Sequence, residues 1–347
     1  MPCGLFHNRY RTDERIFQTI WVRSWLVVFG LALLILPLFV GNYILYVSNM
    51  IFIFIVGAIG LNILTGFTGQ ISIGHGAFMA VGAYTSAILA TKLSLPFFIA
   101  LPIGGLFAAL VGMIFGIPSL RVKGLYLVIA TLAAQFIIEY TIIHWESLTN
   151  GITGIFVPSP DPFGFVFDSD RKFYYLLLAF AVAAVASGKN LFRTRIGRAF
   201  IAVRDRDIAA ELIGISLFRY KLLSFGISSF YAGVAGSLWG YYTNVITPEH
   251  FTIVLSIDYL AMIIVGGLGS IVGTIFGVIF ITILPELLTT LGLMFKDTFG
   301  QITTILSAIK GLIFGVTIIL FLVFEPEGLA EIWRRVRAYW KLWPFSY

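Results

Sequence analysis

The sequence predicts an all-α integral membrane protein, a polytopic bundle of helices. Three observations point to this fold class. The 347 residues are 59% hydrophobic and only 12% charged, the mean hydropathy is +0.96, and long apolar runs recur along the whole chain. Crossing the hydrocarbon core of a bilayer takes about 20 mostly apolar residues per helix. These values are typical of a multi-pass membrane protein and not of a soluble domain.

About ten apolar segments are predicted to span the membrane. The first, sixth and eighth are short, and the eighth and ninth are also compatible with one interrupted unit. The chain then divides into an N-terminal tail (1–24), a transmembrane domain (25–324) and a C-terminal tail (325–347). The ten ranges are approximately 25–40, 43–65, 74–91, 97–117, 125–145, 173–187, 222–246, 254–265, 271–288 and 305–324.

Basic residues predict the orientation of these segments, because short cytoplasmic loops carry an excess of Lys and Arg. With the N-terminus inside, ten crossings place four basic groups on the cytoplasmic side. These groups are the N-terminal tail, the pair Arg121 and Lys123, the connection 189–221 and the C-terminal tail. Both termini are therefore predicted to be cytoplasmic. The asymmetry explains the net charge of +6 without a nucleic-acid partner.

The N-terminal region excludes two other kinds of feature. The first apolar segment follows basic residues, as a secretory signal does, but Leu36-Pro37-Leu38-Phe39-Val40 stands where a small-residue cleavage site would be. It is interpreted as an uncleaved helix. Cys3 is the one cysteine, which excludes an internal disulfide framework or a Cys-built metal site, and neither a metal nor a cofactor is expected.

A glycine-rich break lies between the second and third apolar segments and includes the end of one and the start of the other. Irregular backbone at membrane depth is tolerated only where it is buried in protein or lines a watery cavity. The break is consistent with an unwound helix beside a translocation path, whose half-helix N-terminus would suit a carboxylate. It is also consistent with close helix packing through small residues. The residues concerned are Asn62, Thr65, Gly66, Gly69, Gln70, Ser72, Gly74 and His75.

A similar pattern recurs two hundred positions later. Gly66-x-x-Gly69 is matched by Gly266-x-x-Gly269, and Gly267 lies within the second pattern. Both follow an apolar run, precede a helix and are predicted to lie at the cytoplasmic end. An internal parallel repeat and coincidence are both consistent with this pattern, since the chain holds 35 glycines.

Ionisable residues inside apolar segments are sparse, and this separates the possible mechanisms. Asp258 and Glu286 lie near segment ends, where hydration is the simpler explanation, and His75 is expected to be a hydrogen-bonded packing residue more often than a substrate ligand. A proton-coupled secondary transporter usually has a deep relay of such groups, and this chain shows no convincing relay. Secondary transport is therefore kept only as the runner-up mechanism. An intramembrane enzyme is the weakest, because neither H-E-x-x-H nor a nucleophile elbow is present.

Two polar connections are long. The outer one, 146–172, is rich in turn-forming residues and is consistent with either a partner contact or a plain connector. In the inner one, 189–221, Asp207 and Gly214 are predicted to cap a short helix whose apolar residues Ile208, Leu212 and Ile215 share a face. From spacing alone, this helix fits a groove on a cytoplasmic partner or the lipid surface equally well.

Three strings carry a family resemblance that covers residues 25–330. They are GLNILTGFTGQISIGHGAFMAVGAYTSA, GRAFIAVRDRDIAAELIGI and IDYLAMIIVGGLGSIVGTIFG. In this order and spacing they resemble the membrane permeases of bacterial branched-chain amino acid ABC transporters of the LivM type. The resemblance implies a multi-pass protein of the inner membrane that is not itself an enzyme. The nearest approach to a phosphate-binding loop, Ser187-Gly188-Lys189-Asn190, lacks the leading glycine and the final hydroxyl.

The resemblance also implies partners. These are a second related permease, two cytoplasmic ATPase subunits and an extracytoplasmic binding protein that delivers the amino acid. It favours a coupling helix over a lipid-resting helix for the segment around Asp207. Relatives that carry other amino acids, amides or urea leave the substrate open. The residues that match the ATPase-facing segment of the family are Gly197, Arg198, Arg204, Asp205, Asp207, Ala209, Ala210, Glu211 and Gly214.

Overall fold

The computed structural model describes residues 20–118, 124–160, 167–294 and 302–342. Outside these ranges lie most of the N-terminal tail, the predicted cytoplasmic pair Arg121 and Lys123, and part of the outer connection. The described chain is almost entirely α-helical. Its helices are α1 (Ile20–Phe39), α2 (Asn42–Asn62), α3 (His75–Lys92), α4 (Phe97–Gly116), α5 (Leu125–His144), α6 (Glu146–Thr149), α7 (Asp170–Leu191), α8 (Arg195–Asp205), α9 (Asp207–Leu212), α10 (Leu217–Thr243), α11 (Ile253–Gly266), α12 (Ile271–Met294), α13 (Ile302–Phe324) and α14 (Leu329–Leu342).

Seven helical segments in the described ranges are long and apolar enough to cross a membrane. The bent pair α13–α14 makes eight if it is counted as one span. The sequence predicted about ten, and the difference lies in two helices. In α1 the apolar part, Ser24–Phe39, is short. Helix α3 carries His75, several hydroxyl side chains and Lys92, and most of its first half is buried in protein, so it does not need a uniformly apolar surface.

Helices α2 and α10 lie at the centre of the bundle, and small residues allow α10 to pack closely. Gly233 of α10 faces Gly82 of α3 with no room for a Cβ, and Gly236 faces the backbone of Met79. The Ser237 hydroxyl donates to the carbonyl of Gly82 (3.0 Å). Small residues at such interfaces bring helix backbones together in membranes. By contrast, α1 presents exposed apolar side chains, as a lipid-facing helix does.

The two connections define the two ends of the bundle. In the outer connection, β1 (Ile155–Phe156) pairs antiparallel with β2 (Val245–Ile246), which follows α10. This small ladder was not predicted from the sequence. Helices α8 and α9 lie at the opposite end, where α10 begins. The two ends are called the β1–β2 end and the α8–α9 end below.

Candidate translocation and coupling region

The first break lies between α2 and α3. Helix α2 passes into a π-helical turn, Ile63–Phe67, and α3 begins at His75. Gly69 has φ +73°, a conformation that glycine adopts without steric cost. π-helical turns are rare and are often found at functional sites. Residues 68–74 therefore connect α2 and its π-helical turn to α3 outside any helix.

Polar side chains inside this break bond to nearby backbone and to α10. The Thr65 hydroxyl donates to the carbonyl of Gln70 (3.1 Å), and the Gln70 amide donates to the hydroxyl of Ser224 (2.7 Å). The Ser72 hydroxyl accepts from the N–H of Gly74 (3.3 Å). Gln70 Oε1 is buried and has no hydrogen-bond partner among the described residues.

Buried side chains of other helices bond to the start of α3. Ser256 of α11 accepts from the N–H of Gly76 (2.8 Å), and Gln135 of α5 accepts from the N–H of Ala77 (2.8 Å). His75 is 1% exposed, with Nε2 lying 2.9 Å from the carbonyl oxygen of Gly57. The N–H groups of Gly76 and Ala77, which a substrate carboxylate would otherwise use, therefore have partners within the protein. The arrangement is the one expected of packing.

The second break lies between α11 and α12, which are separate helices. Gly266 ends α11, and Gly267 and Gly269 have φ of +111° and +77°. The Ser270 hydroxyl then accepts from the N–H of Gly273 (3.1 Å). This is the hydrogen bond of a helix N-cap, and it starts α12.

Asn62 joins the two breaks. Its amide donates to the carbonyl of Ser270 (3.1 Å) and to the hydroxyl of Thr274 (2.6 Å), and its Oδ1 accepts from the N–H of Gly269 (2.9 Å). Gly66 lies so close to Asn62 and to the Gly269 nitrogen that a Cβ would not fit. The two glycine patterns, far apart in sequence, are therefore direct neighbours.

Arg204 connects the end of α8 to both breaks. Its guanidinium Nη1 donates to the carbonyl of Gly66 (2.9 Å), and its Nε bonds to Asp205 (3.0 Å). A Cβ on Gly69 would lie 3.1 Å from Arg204 Cγ, and one on Gly269 would lie 2.9 Å from Nη1. The side chain is 38% exposed. A residue expected to face an ATPase thus also contacts the two breaks.

Helix α8 packs against the end of α7. Its N-cap is Thr194, whose hydroxyl accepts from the N–H of Gly197 (3.4 Å). Gly197 is buried so close to the backbone of Leu191 and Phe192 that a side chain would clash. The Arg198 guanidinium reaches the carbonyl of Arg193 (3.5 Å). The sequence did not predict α8 as a helix, although its Thr194 cap is a recognisable start signal.

Helix α9 leaves its apolar face uncovered. Ile208 and Leu212 are 70% and 83% exposed. Ala209 and Glu211 are also exposed, and Ala210 is buried. Gly214 has φ +88°, as its predicted role at the helix end requires. Asp207 is the first helical residue and Arg206 occupies the N-cap position, but the Asp207 carboxylate accepts from a backbone N–H at the helix start as predicted, that of Ile208 (2.9 Å).

Several buried polar residues of this region were not predicted from the sequence. They share one property, which is an uncharged polar side chain buried between helices, as Asn62 is. Their partners lie on other helices, so periodicity along one helix does not reveal them. They are Thr131, Gln135, Ser224, Ser256 and Thr274.

The apolar spans indicate a multi-pass membrane protein, and the comparison with known families places it among transport proteins. The chain belongs to the family described as the branched-chain amino acid transport system / permease component, whose model matches residues 43–322.

The chain is similar to curated members of this group. It is 31% identical to the high-affinity branched-chain amino acid transport system permease protein LivM of Escherichia coli, over 88% of this chain and 75% of the relative. It is 30% identical to LivM of Salmonella typhimurium over the same shares. A probable LivH permease of Methanocaldococcus jannaschii is 26% identical, over 81% of this chain and 89% of that protein. No solved structure matches.

Proposed function

We propose that this chain is the membrane permease subunit of an ATP-driven ABC importer for branched-chain amino acids. Its membership of the permease family over residues 43–322 is the observation on which the proposal rests. The similarity to proteins named as high-affinity branched-chain amino acid permeases supports the substrate class. The chain itself is a passage and not an enzyme, and ATP hydrolysis resides in partner subunits.

The proposed assembly contains a second, related permease. The similarity of this chain to proteins named LivM and to proteins named LivH supports a pair of homologous subunits. Two cytoplasmic ATPases and an extracytoplasmic binding protein complete the importer. The assembly is placed in the bacterial inner membrane, with about ten crossings and both termini in the cytoplasm. The basic residues of α8 and of the C-terminal helix α14 support this orientation.

Helix α9 is proposed as the contact with an ATPase subunit. A six-residue helix is marginal on its own in water, and the exposed Ile208 and Leu212 provide the apolar surface that a groove would cover. A single residue, Arg206, separates α8 from α9. A displacement of α9 by the ATPase would therefore be transmitted through α8 to Arg204.

Arg204 gives this movement a route into the membrane domain. Because its guanidinium holds the carbonyl of Gly66 and packs against Gly269, a shift of α8 acts on both breaks at once. The translocation path is proposed to close and open at this end of the bundle, at the two glycine breaks. Directionality then comes from ATP and from delivery by the binding protein.

Reconstituted uptake tests the proposal. Proteoliposomes containing this chain, its permease partner and the ATPases should accumulate leucine when the binding protein is outside and ATP is inside. Collapse of the proton gradient should leave the uptake unchanged. Uptake that depends on the gradient and ignores ATP would contradict the importer and support a secondary transporter.

The same assay tests the route through Arg204. Arg204→Gln should lower uptake about tenfold while ATP hydrolysis continues, as expected for loss of a charge-assisted hydrogen bond needed in one state of the cycle. Arg195→Gln, at an exposed arginine on the same helix, is the control and should transport normally. Normal uptake by Arg204→Gln would show that coupling does not pass through this contact.

A further inference from the structure

A cavity of about 460 Å³ lies between α2, α10, α11, α12 and α13. Its lining on α2 ends at Phe54, about 12 Å along the helix from Asn62 of the first break at 1.5 Å per residue. On α11 the lining reaches Met262, about 6 Å along the helix from Gly266 of the second break. Trp239 and Val254 line the cavity close to the β1–β2 end. The cavity therefore extends from near the β1–β2 end toward the second break.

The cavity combines apolar walls with charges of both signs. Helix α11 contributes Asp258, α12 contributes Glu286, and α13 contributes Lys310. The remaining wall is mostly aliphatic and aromatic, with Met50 and Phe54 on α2. Three ionisable groups around one apolar space inside a membrane domain are unusual, because each is costly to remove from water.

Asp258 is the most informative of the three. Glu286 accepts a hydrogen bond from the Tyr43 hydroxyl, whereas Asp258 has neither a hydrogen bond nor an ion pair in the described parts of the chain. Val254, Asp258 and Met262 are spaced by four residues and form one face of α11 that borders the cavity. An intramembrane carboxylate without a protein partner suggests that its partner is a ligand.

The cavity also holds spare polar atoms. The indole nitrogen of Trp239 and the hydroxyl of Thr282 belong to lining residues, and both atoms are buried without a hydrogen-bond partner among the described residues. Buried polar atoms are normally paired. A few polar groups in an otherwise apolar space of this volume are the usual pattern of a small-molecule site.

We propose that this cavity binds the zwitterion of an aliphatic amino acid during transport, with its ammonium group at Asp258 and its carboxylate at Lys310. The aliphatic side chain of the amino acid then lies against the apolar wall. This inference rests on the proposed function and names the site within the passage. It differs from the sequence-based expectation that Asp258 and Glu286 are merely hydrated near an interface.

Charge removal in the reconstituted importer tests the site. Asp258→Asn keeps the size of the side chain and should lower leucine uptake at least about tenfold at unchanged ATP hydrolysis, because one partner of a desolvated charge pair is lost. Asp258→Glu should restore part of the uptake. The control is Glu139→Gln, which removes a carboxylate of α5 outside the cavity and should transport normally.

The outcomes separate this inference from the proposed function. If the unaltered complex does not take up leucine, the proposed function is contradicted. If it does, and Asp258→Asn transports at the same rate, the assignment of Asp258 is wrong while the importer remains.

A labelling experiment applies even if Asp258→Asn does not assemble. Cys3 is the one cysteine of the chain, so Val254→Cys in a Cys3→Ser background gives the complex a single reporter in this subunit at the cavity. Leucine should slow its reaction with a maleimide, and 4-methylpentanoate, which lacks the ammonium group, should not. Equal rates with and without leucine, or equal protection by both compounds, would overturn the proposal.

Discussion

The two glycine breaks share a sequence spacing but differ in construction. In the first, Gly66 lies within a π-helical turn and only Gly69 has a positive φ. In the second, Gly266 ends a regular helix, and both Gly267 and Gly269 have positive φ. The first break includes a stretch of seven residues outside α2, the π-turn and α3, whereas only four residues, 267–270, separate the two helices of the second.

The partners of the two breaks differ as well. Helix α3 begins without a side-chain cap of its own, and Gln135 and Ser256 from other helices bond to its first N–H groups. Helix α12 is capped locally by Ser270. The first N–H groups of α3 are therefore bonded by side chains of other helices, whereas a first-turn N–H of α12 is bonded by a neighbouring side chain. The comparison teaches that a G-x-x-G pattern permits a break, while the surrounding side chains decide its geometry.

The largest effect is expected where the breaks touch. Gly66→Ala places a Cβ against Asn62 and the backbone nitrogen of Gly269, so the two breaks must separate. Overpacking of a tight site, together with loss of the Asn62 hydrogen bonds, should lower the free energy of unfolding by about 3 kcal/mol. The thermal midpoint of the purified subunit in detergent measures this loss.

Gly315→Ala is the matched control. Gly315 lies in α13, and a Cβ there meets nothing within 4 Å. Because alanine is the better helix former, this variant should be as stable as the parent. Equal thermal midpoints for Gly66→Ala and Gly315→Ala would show that the breaks are not packed against each other.

A second, smaller effect is expected when either of two buried amide side chains, Asn62 or Gln135, is replaced by leucine. Asn62→Leu removes three hydrogen bonds that join the breaks. Gln135→Leu also removes three, of which one holds Ala77 at the start of α3 and the other two join Phe251 and Ser256. Each change leaves backbone groups unpaired in a low-dielectric interior, which should cost about 2 kcal/mol. The thermal midpoints of the two single variants and the double variant provide the measurement.

The double variant Asn62→Leu/Gln135→Leu tests whether the two losses of stability are independent. If the two breaks are held independently, the two losses should add, as they do for sites without shared partners. A double variant that is no less stable than Asn62→Leu alone would indicate that both amides support one cooperative unit.

The sequence predicted the features that depend on local chemistry. The apolar helices and the left-handed Gly214 follow from hydropathy and from the conformational freedom of glycine. The predicted start of α9 differs by one residue, because Asp207 is the first helical residue and not the cap, although its carboxylate accepts from a backbone N–H as predicted. Such boundary errors are common, because the ends of helices are set by a few weak hydrogen bonds.

The sequence did not predict the features that depend on distant contacts. Asn62 and Gly269 are 207 positions apart, and nothing in the local pattern of either indicates that they bond. The same holds for Arg204, whose sequence context is a charged, solvent-facing segment although its guanidinium reaches Gly66. The cavity beside Asp258 combines five helices, so its walls exist only in the packed bundle.

The smallest effect on the free energy of unfolding is expected when a serine hydroxyl is removed from either break, at Ser270 or at Ser72. Ser270→Ala removes the N-cap of α12 and should cost about 1 kcal/mol, as for other capping serines. Ser72→Ala removes a longer contact to Gly74 (3.3 Å) and should cost less than about 0.5 kcal/mol, because the start of α3 is held by Gln135 and Ser256. Thermal unfolding of both variants measures the difference. A larger loss for Ser72→Ala than for Ser270→Ala would reverse the comparison, since the first break would then be stabilised from within and the second from outside.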